Sequence, residues 1–209
     1  LGVYGAVELI GACKEHGLKP ILGASIPLNH EGKTYPVNLL VSSKRGYDTL
    51  NRLITLAKEN DVQSVTLSTL EAYTTDLHCL TGGRKGFLNS LIEKRKFKDA
   101  EYILGALKKA FGERLWVQLF FDCYPWDLRR AGALRKFARQ YQVPVVAAPE
   151  VRYATPDLLP LHDTLVCGRL GITLQTPHED RPLNDCQAIP SAEKFPLPFE
   201  DAFENANRL

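Results

Sequence analysis

The chain has 209 residues, 44% of them apolar, so it can bury one sizeable hydrophobic core, and a single domain is the simplest expectation. Its 26 Lys and Arg side chains nearly balance 24 Asp and Glu, which excludes a chain that coats nucleic acid as a polycation. No apolar run approaches the roughly 20 residues that a membrane helix needs, and no secretion signal opens the chain, so we expect a soluble, unsecreted protein without a membrane partner.

The cysteine pattern gives a prediction about the compartment. Five cysteines are scattered through the chain without a CxxC pair, at Cys13, Cys79, Cys123, Cys167 and Cys186. An odd number of widely spaced cysteines is typical of free thiols in a reducing compartment. We therefore predict a cytoplasmic protein with free, mostly buried thiols. Because the chain begins at Leu1 and contains no Met, we also expect it to be a piece of a longer protein.

The first half of the chain alternates amphipathic and β-type segments. In chain order, the pattern predicts a helix at 4–16, strands at 20–28 and 35–41, a helix at 44–59, a strand at 77–80, and helices at 87–93 and 98–111. The polar run 29–33 predicts a hairpin loop between the first two strands. Apolar residues at three- and four-residue intervals support the helix at 44–59.

The second half repeats this alternation and then becomes irregular. The pattern predicts a strand at 114–121, a helix at 127–141, a strand at 143–148, a helix at 156–169, an irregular Pro-rich arm at 175–198 and a short helix from 199. Strands that alternate with helices of this length predict parallel pairing. We therefore expect an α/β fold in which the loops at the carboxyl ends of the strands carry any site.

A phosphate-binding loop has only one candidate. Neither GxxxxGK[ST] nor GxGxxG occurs, but the run GGRKG at 82–86 follows a predicted strand. Its backbone N–H groups and two cations could surround a phosphate. The alternative interpretation is a tight strand-to-helix turn with exposed cations.

Metal ligands and nucleophiles give no strong motif. The five histidines show no HxH, HxxxH or HExxH spacing; they are His16, His30, His78, His162 and His178. Only His78, near a strand end, and His162, beside Asp163 in a helix, are placed to bind an ion, and a satisfied core or surface histidine is the alternative for each. No GxSxG motif occurs. Basic runs at 94–96 and 129–130 indicate solvated helix faces, so the residues alone leave the function open.

Six segments, taken in order, resemble the PHP (polymerase and histidinol phosphatase) domain of bacterial DNA polymerase III alpha-type enzymes, the C-family polymerases. The first motif combines GAVE at 5–8 with GLKPILGA at 17–24. The other five are LTGGRKG at 80–86, FGERLWVQL at 111–119, VPVVAAPEVRYATP at 143–156, HDTL at 162–165 and EDAFENA at 200–206. The resemblance covers nearly the whole chain, and several motifs lean toward the error-prone branch of the family.

The resemblance implies a distorted (β/α)7 PHP-type barrel, here without its N-terminal segment. It divides the chain into a barrel at 1–174 and an irregular arm at 175–209, which ends in a helix that leads into the next polymerase domain. In the family, metal ligands gather at the carboxyl ends of the barrel strands, where ions could activate water against a phosphodiester.

This sequence departs from the family at the ligand positions. The opening HxH and the following Asp-His would precede Leu1. The family glutamate aligns with Ser25, its cysteine with Gly83, and its Asp and His with Glu150 and Arg152, while His162 remains. A guanidinium repels a cation about 4 Å away by several kcal/mol at an effective dielectric of about 20. We therefore predict a vacant or rewired metal site in which Arg152 pairs with Glu150 or another carboxylate, leaving Glu150, His78 and His162 as the remaining candidate ligands.

The resemblance implies a non-catalytic structural module of a DNA-directed DNA polymerase. Its partners would be the other domains of the same polymerase and a proofreading or accessory subunit, and DNA would be bound by the parent protein. The domain would hold no cofactor, and Mg²⁺ would serve the parent polymerase. The alternatives are an active Zn²⁺- or Mn²⁺-dependent phosphoesterase or 3′–5′ exonuclease, and an unrelated α/β-barrel enzyme such as a sugar-phosphate phosphatase.

Overall fold

The computed structural model describes residues 2–59, 61–190 and 199–209, so residues 191–198 of the predicted arm lie outside the described residues. The strands are β1 (Gly23–His30), β2 (Lys33–Val41), β3 (Val65–Thr66), β4 (Leu77–Leu80), β5 (Leu115–Leu119) and β6 (Val145–Ala147). The helices are α1 (Ala6–Glu15), α2 (Lys44–Glu59), α3 (Leu67–Ala72), α4 (Phe87–Glu93), α5 (Phe97–Phe111), α6 (Asp127–Gln140), α7 (Leu159–Leu170) and α8 (Glu200–Arg208). Short 3-10 turns occupy Gly112–Arg114 and Pro156–Leu158.

The six strands form one mixed sheet in the order β3-β1-β2-β4-β5-β6. The predicted parallel pairing holds for β4 with β5, β5 with β6 and β1 with β3. It is wrong for β2 and β4, which are antiparallel. The predicted hairpin between the first two strands is confirmed: β1 and β2 are antiparallel, and the φ angles of 49° and 74° at Glu31 and Gly32 reverse the chain within two residues.

The main hydrophobic core lies between one face of the sheet and the helices that cover it. Leu115, Val117 and Leu119 of β5 are fully buried in this core, where they join Leu53 of α2 and Leu107 of α5. Burying each leucine contributes about 1.5–3 kcal/mol relative to exposure. The opposite face of β5 carries Trp116 and Gln118, so a polar group is available on that side of the sheet.

Helix α8 packs against the outer strand β6. Ala202 is fully buried in the main core, and the Asn205 side-chain amide donates to the Val145 carbonyl oxygen at 2.8 Å. Arg135 of α6 adds an ion pair to Asp201 at 2.8 Å. Capping an outer strand in this way satisfies backbone groups that would otherwise be available for pairing with another chain.

Among the described helices, none combines the length and the apolar character that a membrane crossing requires.

Candidate functional site at the strand ends

The carboxyl ends of β4, β5 and β6 meet at one edge of the sheet because these strands are parallel. The loops that follow them surround a cavity of about 660 Å³, which we call the strand-end pocket. Its lining includes all five positions that the sequence predicts as vestigial metal-site positions, namely Ser25, Gly83, Glu150, Arg152 and His162. The structure therefore brings together residues from β1, three loops or helices, and distant parts of the chain.

Glu150 is held from both sides within this pocket. One carboxylate oxygen, Oε1, accepts the backbone N–H of Arg84 at 2.8 Å, and Oε2 accepts from Arg152 Nη2 at 3.2 Å. The predicted pairing of Arg152 with Glu150 is confirmed. A Cβ atom built on Gly83 would lie 2.7 Å from Cδ of Glu150 and nearer still to Oε1. The Glu150 carboxylate thus occupies the space that a side chain at position 83 would need.

These residues do not fit a cluster of divalent cations. Ser25 presents an exposed hydroxyl, Gly83 has no side chain, and the Arg152 guanidinium places a fixed positive charge on the carboxylate that an ion would need. His162 is the remaining nitrogen donor. Burial, followed by the positive charges of Arg152 and Arg169, lowers its pKa below the ordinary value, so its imidazole favours the neutral form.

Arg84 forms an ionic cluster that joins the loops after β4 and β5. Its Nε donates to Asp122 Oδ2 at 2.9 Å, and its Nη2 donates to Asp127 Oδ1 at 3.0 Å. The guanidinium also lies 4.1 Å from the ring centroid of Tyr124 and 5.4 Å from that of Phe120. Asp127 is fully buried and accepts the backbone N–H groups of Asp122 and Tyr124 at 2.8 and 3.1 Å.

The charges in this cluster are strongly coupled. Burial raises the pKa of Asp122, and the attraction of Arg84 opposes that rise. Burial also lowers the pKa of Arg84, but Asp122 and Asp127 more than offset the effect and raise it overall. Asp122 and Asp127 are not predicted from the sequence because neither belongs to a recognisable ligand motif.

The Gly-rich run 82–86 is a tight turn in the structure. Gly82 has a φ of 81°, in the left-handed region that favours glycine. The backbone N–H of Arg84 already donates to Glu150, the Arg84 side chain is bound by two carboxylates, and Lys85 pairs with Asp180. The geometry favours the tight-turn interpretation over the phosphate-binding one.

An uncharged amide pair forms part of the pocket wall. Asn38 Nδ2 of β2 donates to Gln118 Oε1 at 2.9 Å, and Gln118 Nε2 donates to the Ala148 carbonyl at 2.8 Å. Gln118 is buried, so these bonds satisfy its amide away from water. Neither residue was singled out by the sequence analysis, since isolated Asn and Gln in strands carry no spacing signal.

The described part of the arm folds across the pocket. Arg181 makes a two-point ion pair with Asp163 of α7, at 2.8 and 2.6 Å, and its Nη1 donates to the carbonyls of Leu174 and Thr176 at 2.7 and 2.8 Å. The hydrogen bond from Arg181 lowers the pKa of Asp163. Asn184 Nδ2 donates to the Asp122 carbonyl at 2.8 Å. The arm thereby supplies one wall of the pocket.

The prediction of five free thiols is wrong for two of them. Cys123, in the loop after β5, forms a disulfide with Cys186 of the arm, across 63 residues of chain. Cys13, Cys79 and Cys167 are free and buried, and burial raises the pKa of the Cys79 thiol. The spacing of the cysteines in the sequence does not predict the Cys123–Cys186 bond, because the two residues meet only when the arm folds back onto the pocket.

His78 lies outside the pocket lining. Its Nδ1 accepts the indole N–H of Trp116 at 3.1 Å, and burial, with a smaller contribution from Arg114, lowers its pKa. This geometry is that of a satisfied core histidine.

A separate acidic cluster lies at the β1–β2 hairpin. The possible ligand atoms of His30, Glu31 and Asp99 lie within 4.8 Å of one another. Lys96 Nζ is 3.6 Å from Glu31 and 3.2 Å from Asp99, so one ammonium group already pairs with both carboxylates. The cluster was not predicted from the sequence.

Comparison with known proteins decides the family. The PHP domain family matches residues 1–119 of the chain. The chain belongs to the PHP domain family. The error-prone DNA polymerase of Symbiobacterium thermophilum is 31% identical over 202 residues, covering 88% of this chain and 18% of that protein. The DNA polymerase III subunits alpha of Caulobacter vibrioides and Bacillus subtilis are 27% and 25% identical, covering 79% and 90% of this chain.

These relatives confirm the resemblance inferred from the six motifs. The chain spans 18%, 16% and 17% of the three relatives, less than a fifth of their length, so this PHP domain corresponds to one part of much larger polymerases.

Proposed function

We propose that this PHP domain is a structural module of a cytoplasmic DNA polymerase III alpha-type DNA-directed DNA polymerase, with ion pairs in place of a metal centre. The observation that carries the proposal is the position of Glu150. Its carboxylate fills the space beside Gly83 and is bound by the Arg84 backbone and the Arg152 guanidinium. A cation would have to displace Arg152 from the carboxylate to bind there.

The ion pairs around the pocket can hold the strand-end loops together, as metal ions would in a PHP domain that binds them. Arg84 links the β4 and β5 loops, Glu150 links the β4 and β6 loops, and Lys85 links the β4 loop to Asp180 of the arm. The first two links fix one strand end relative to another, and the third fixes the arm, all without a metal. The geometry of the pocket thus favours a rigid support for neighbouring domains over a hydrolytic centre.

The finer details rest on the family resemblance. We propose that the six-stranded sheet belongs to a distorted (β/α)7 barrel spanning 1–174, and that the arm and α8 lead toward the following polymerase domains. Those domains would be the immediate partners, together with a proofreading or accessory subunit. Mg²⁺ and DNA would be bound by the polymerase as a whole.

A metal and nuclease experiment tests the proposal. The chain and its Arg152→His variant are incubated with Mn²⁺ or Zn²⁺, desalted, and assayed for retained metal and for nucleotide release from a labelled DNA 3′ end. We expect the unmodified chain to retain less than one ion per molecule and to release no nucleotide above a protein-free control. The proposal would be overturned if the chain released nucleotides, if Arg152→His released them equally well, and if a further variant, Glu150→Gln, released none.

The second candidate is an active metal-dependent phosphoesterase or 3′–5′ exonuclease. The observation that favours it is that Glu150, His162, Glu179 and Asp180 all line the same pocket, so oxygen and nitrogen donors face one cavity. The same assay separates the two candidates, because stoichiometric metal retention together with 3′-end hydrolysis belongs to the enzyme alone.

A further inference from the structure

The arm is tied to the pocket by one covalent bond and several polar contacts. We propose that the Cys123–Cys186 disulfide is a reversible thiol–disulfide site that locks the arm across the strand-end pocket, and that a dithiol reductant releases it. This inference is independent of the proposed function, since a structural module needs no redox chemistry.

The position of the disulfide makes it reachable from solvent. Cys123 is exposed, in the loop after β5, and Cys186 is partly exposed in the arm. The free thiols Cys13, Cys79 and Cys167 are buried. Access governs the rate of thiol–disulfide exchange, so a small thiol can attack the Cys123–Cys186 bond from solvent, whereas the buried free thiols are shielded from exchange with it.

Two of the ion pairs that hold the arm at the pocket involve exposed cations. Lys85, on the pocket side, is two-thirds exposed where it pairs with Asp180, and Arg169 is two-thirds exposed where it approaches the same carboxylate at 3.8 Å. Exposed pairs of this kind contribute little to stability. The Arg181–Asp163 pair is better shielded, but it fixes the arm to α7 and makes no link to the β5 loop.

The disulfide supplies that link across a long stretch of chain. It joins residues 63 positions apart, and a cross-link that closes a long loop restricts the open states of the chain more than one that closes a short loop. Beside it, Asn184 donates to the Asp122 carbonyl, and the Arg152 N–H donates to the Gln187 carbonyl at 2.8 Å. The Tyr153 hydroxyl also donates to the Asn184 carbonyl, and the Ile189 N–H donates to the Ala154 carbonyl, both at 3.3 Å. Breaking the S–S bond leaves these hydrogen bonds, each weaker than a covalent link, as the neighbouring restraints.

Release of the arm would open one wall of the pocket. Five arm residues line the pocket: Glu179, Asp180, Arg181, Pro182 and Gln187. When the arm moves away, the Glu150 side chain, which is 20% exposed beside the already exposed Arg152, becomes more accessible to solvent. The redox state of one cysteine pair would thereby control access to the pocket.

The chemical step balances as an ordinary two-electron exchange. A thiolate of the dithiol attacks one sulfur of the pair, the S–S bond breaks, and a mixed disulfide forms. The second thiol of the reductant then attacks the mixed disulfide. Cys123 and Cys186 end as two free thiols that carry the two protons of the dithiol, and the reductant departs as its cyclic disulfide.

Defined redox buffers test the proposal on the whole 209-residue chain. The chain is equilibrated with mixtures of reduced and oxidised dithiothreitol, trapped with an alkylating reagent and mapped by mass spectrometry. Hydrogen–deuterium exchange is measured on the same samples. We expect three free thiols at the oxidising end, at Cys13, Cys79 and Cys167, and five at the reducing end.

Exchange in the arm decides whether the bond acts as a lock. We expect amides at 172–190 to exchange about tenfold or more faster in the reduced protein, with β5 unchanged. Cys123→Ser and Cys186→Ser should show the fast rate under both conditions, and the control Cys13→Ala should retain the redox response. Cys123 and Cys186 that stay reduced in every mixture would overturn the proposal, and so would a disulfide that leaves arm exchange unaltered.

Discussion

Glu150 and Gly83 depend on each other at the level of single atoms. The Glu150 carboxylate lies where a Cβ at position 83 would be, and the backbone N–H beside that glycine holds it. The φ angle of Gly83 is negative, so another residue could adopt its backbone conformation. Glycine is required at this position because the Glu150 carboxylate needs the space that a side chain would fill. The pair is 67 positions apart, and a sequence motif cannot report such a coupling.

Gly83→Ala should therefore act through Glu150. The new methyl group would push the carboxylate away from Arg84 N and Arg152, and hydrogen bonds to charged groups contribute about 1.5–3 kcal/mol each. We expect the free energy of unfolding, measured by urea denaturation, to fall by about 1–3 kcal/mol. In a Glu150→Ala background the same substitution should cost much less. Equal costs in the two backgrounds would contradict the coupling.

His78 gives a pH prediction whose sign follows from its environment. Its folded pKa is below the ordinary value, so the unfolded chain binds a proton more readily than the folded one. The free energy of unfolding should therefore fall as pH drops from about 7.5 to about 5.5, through the unfolded histidine pKa of about 6.5. Protonation would also break the bond from Trp116, since Nδ1 must be unprotonated to accept it.

His78→Asn is the matched variant, because the Asn oxygen can accept the same indole N–H without titrating. We expect its free energy of unfolding near neutral pH to stay close to that of the unmodified chain. Toward about pH 5.5 its free energy of unfolding should fall less than that of the unmodified chain, and the fall that remains is due to His162 and other groups. Histidine NMR titration provides the direct check. A His78 resonance that titrates at or above about 6.5 would contradict the prediction.

At the scale of elements, long periodic segments were predictable and short ones were not. Helix α2 was predicted at 44–59 and spans Lys44–Glu59, because its apolar stripe alone specifies which face is buried. Strand β3 and helix α3 were missed. A two-residue strand has no period to detect, and β3 exists because Val65 and Thr66 pair with Leu28 and Asn29 of β1.

Helix α3 is fixed at its start by Thr66. The Thr66 hydroxyl accepts the backbone N–H of Thr69 at 3.1 Å, which satisfies one of the unpaired donors of the first turn. We expect Thr66→Ala to lower the free energy of unfolding by about 1 kcal/mol, with Thr66→Ser close to the unmodified chain. Chemical denaturation of the three proteins measures the difference, and a Ser variant as unstable as the Ala variant would contradict the capping role.

For the whole molecule, the sequence predicted the family, because the aligned motifs follow the order of the family's segments. The five positions taken from those motifs line one pocket, and their assignment as a vestigial metal site stays a prediction. Prediction from the sequence failed where the chain returns from a distance. The disulfide partner of Cys123 and the carboxylates that bind Arg84 come from segments whose approach depends on tertiary packing.

Arg84 holds the strand-end loops together and gives the strongest stability prediction. Replacing it by Met leaves Asp122 buried without its cation and leaves Asp127 only the more distant Arg130 Nη1 at 3.7 Å. Breaking a buried ion pair in this way costs about 3–5 kcal/mol. We expect Arg84→Met to lower the free energy of unfolding by an amount near the lower end of that range, since Arg84 is partly exposed. The exposed Arg129→Met on α6 serves as control and should change little.

The pH dependence of Arg84→Met separates lost charge from lost packing. Burial already raises the pKa of Asp122 in the folded chain, and removing Arg84 removes the attraction that opposes this rise. A carboxyl with a raised folded pKa penalises the fold above that pKa, and the penalty disappears as pH falls toward the unfolded value of about 3.9. The stability gap between Arg84→Met and the unmodified chain should therefore narrow as pH falls from about 7 to about 4.5. Urea denaturation at several pH values measures the gap; a gap that stays constant would mean that Arg84 acts through its packing on Tyr124 and Phe120 alone.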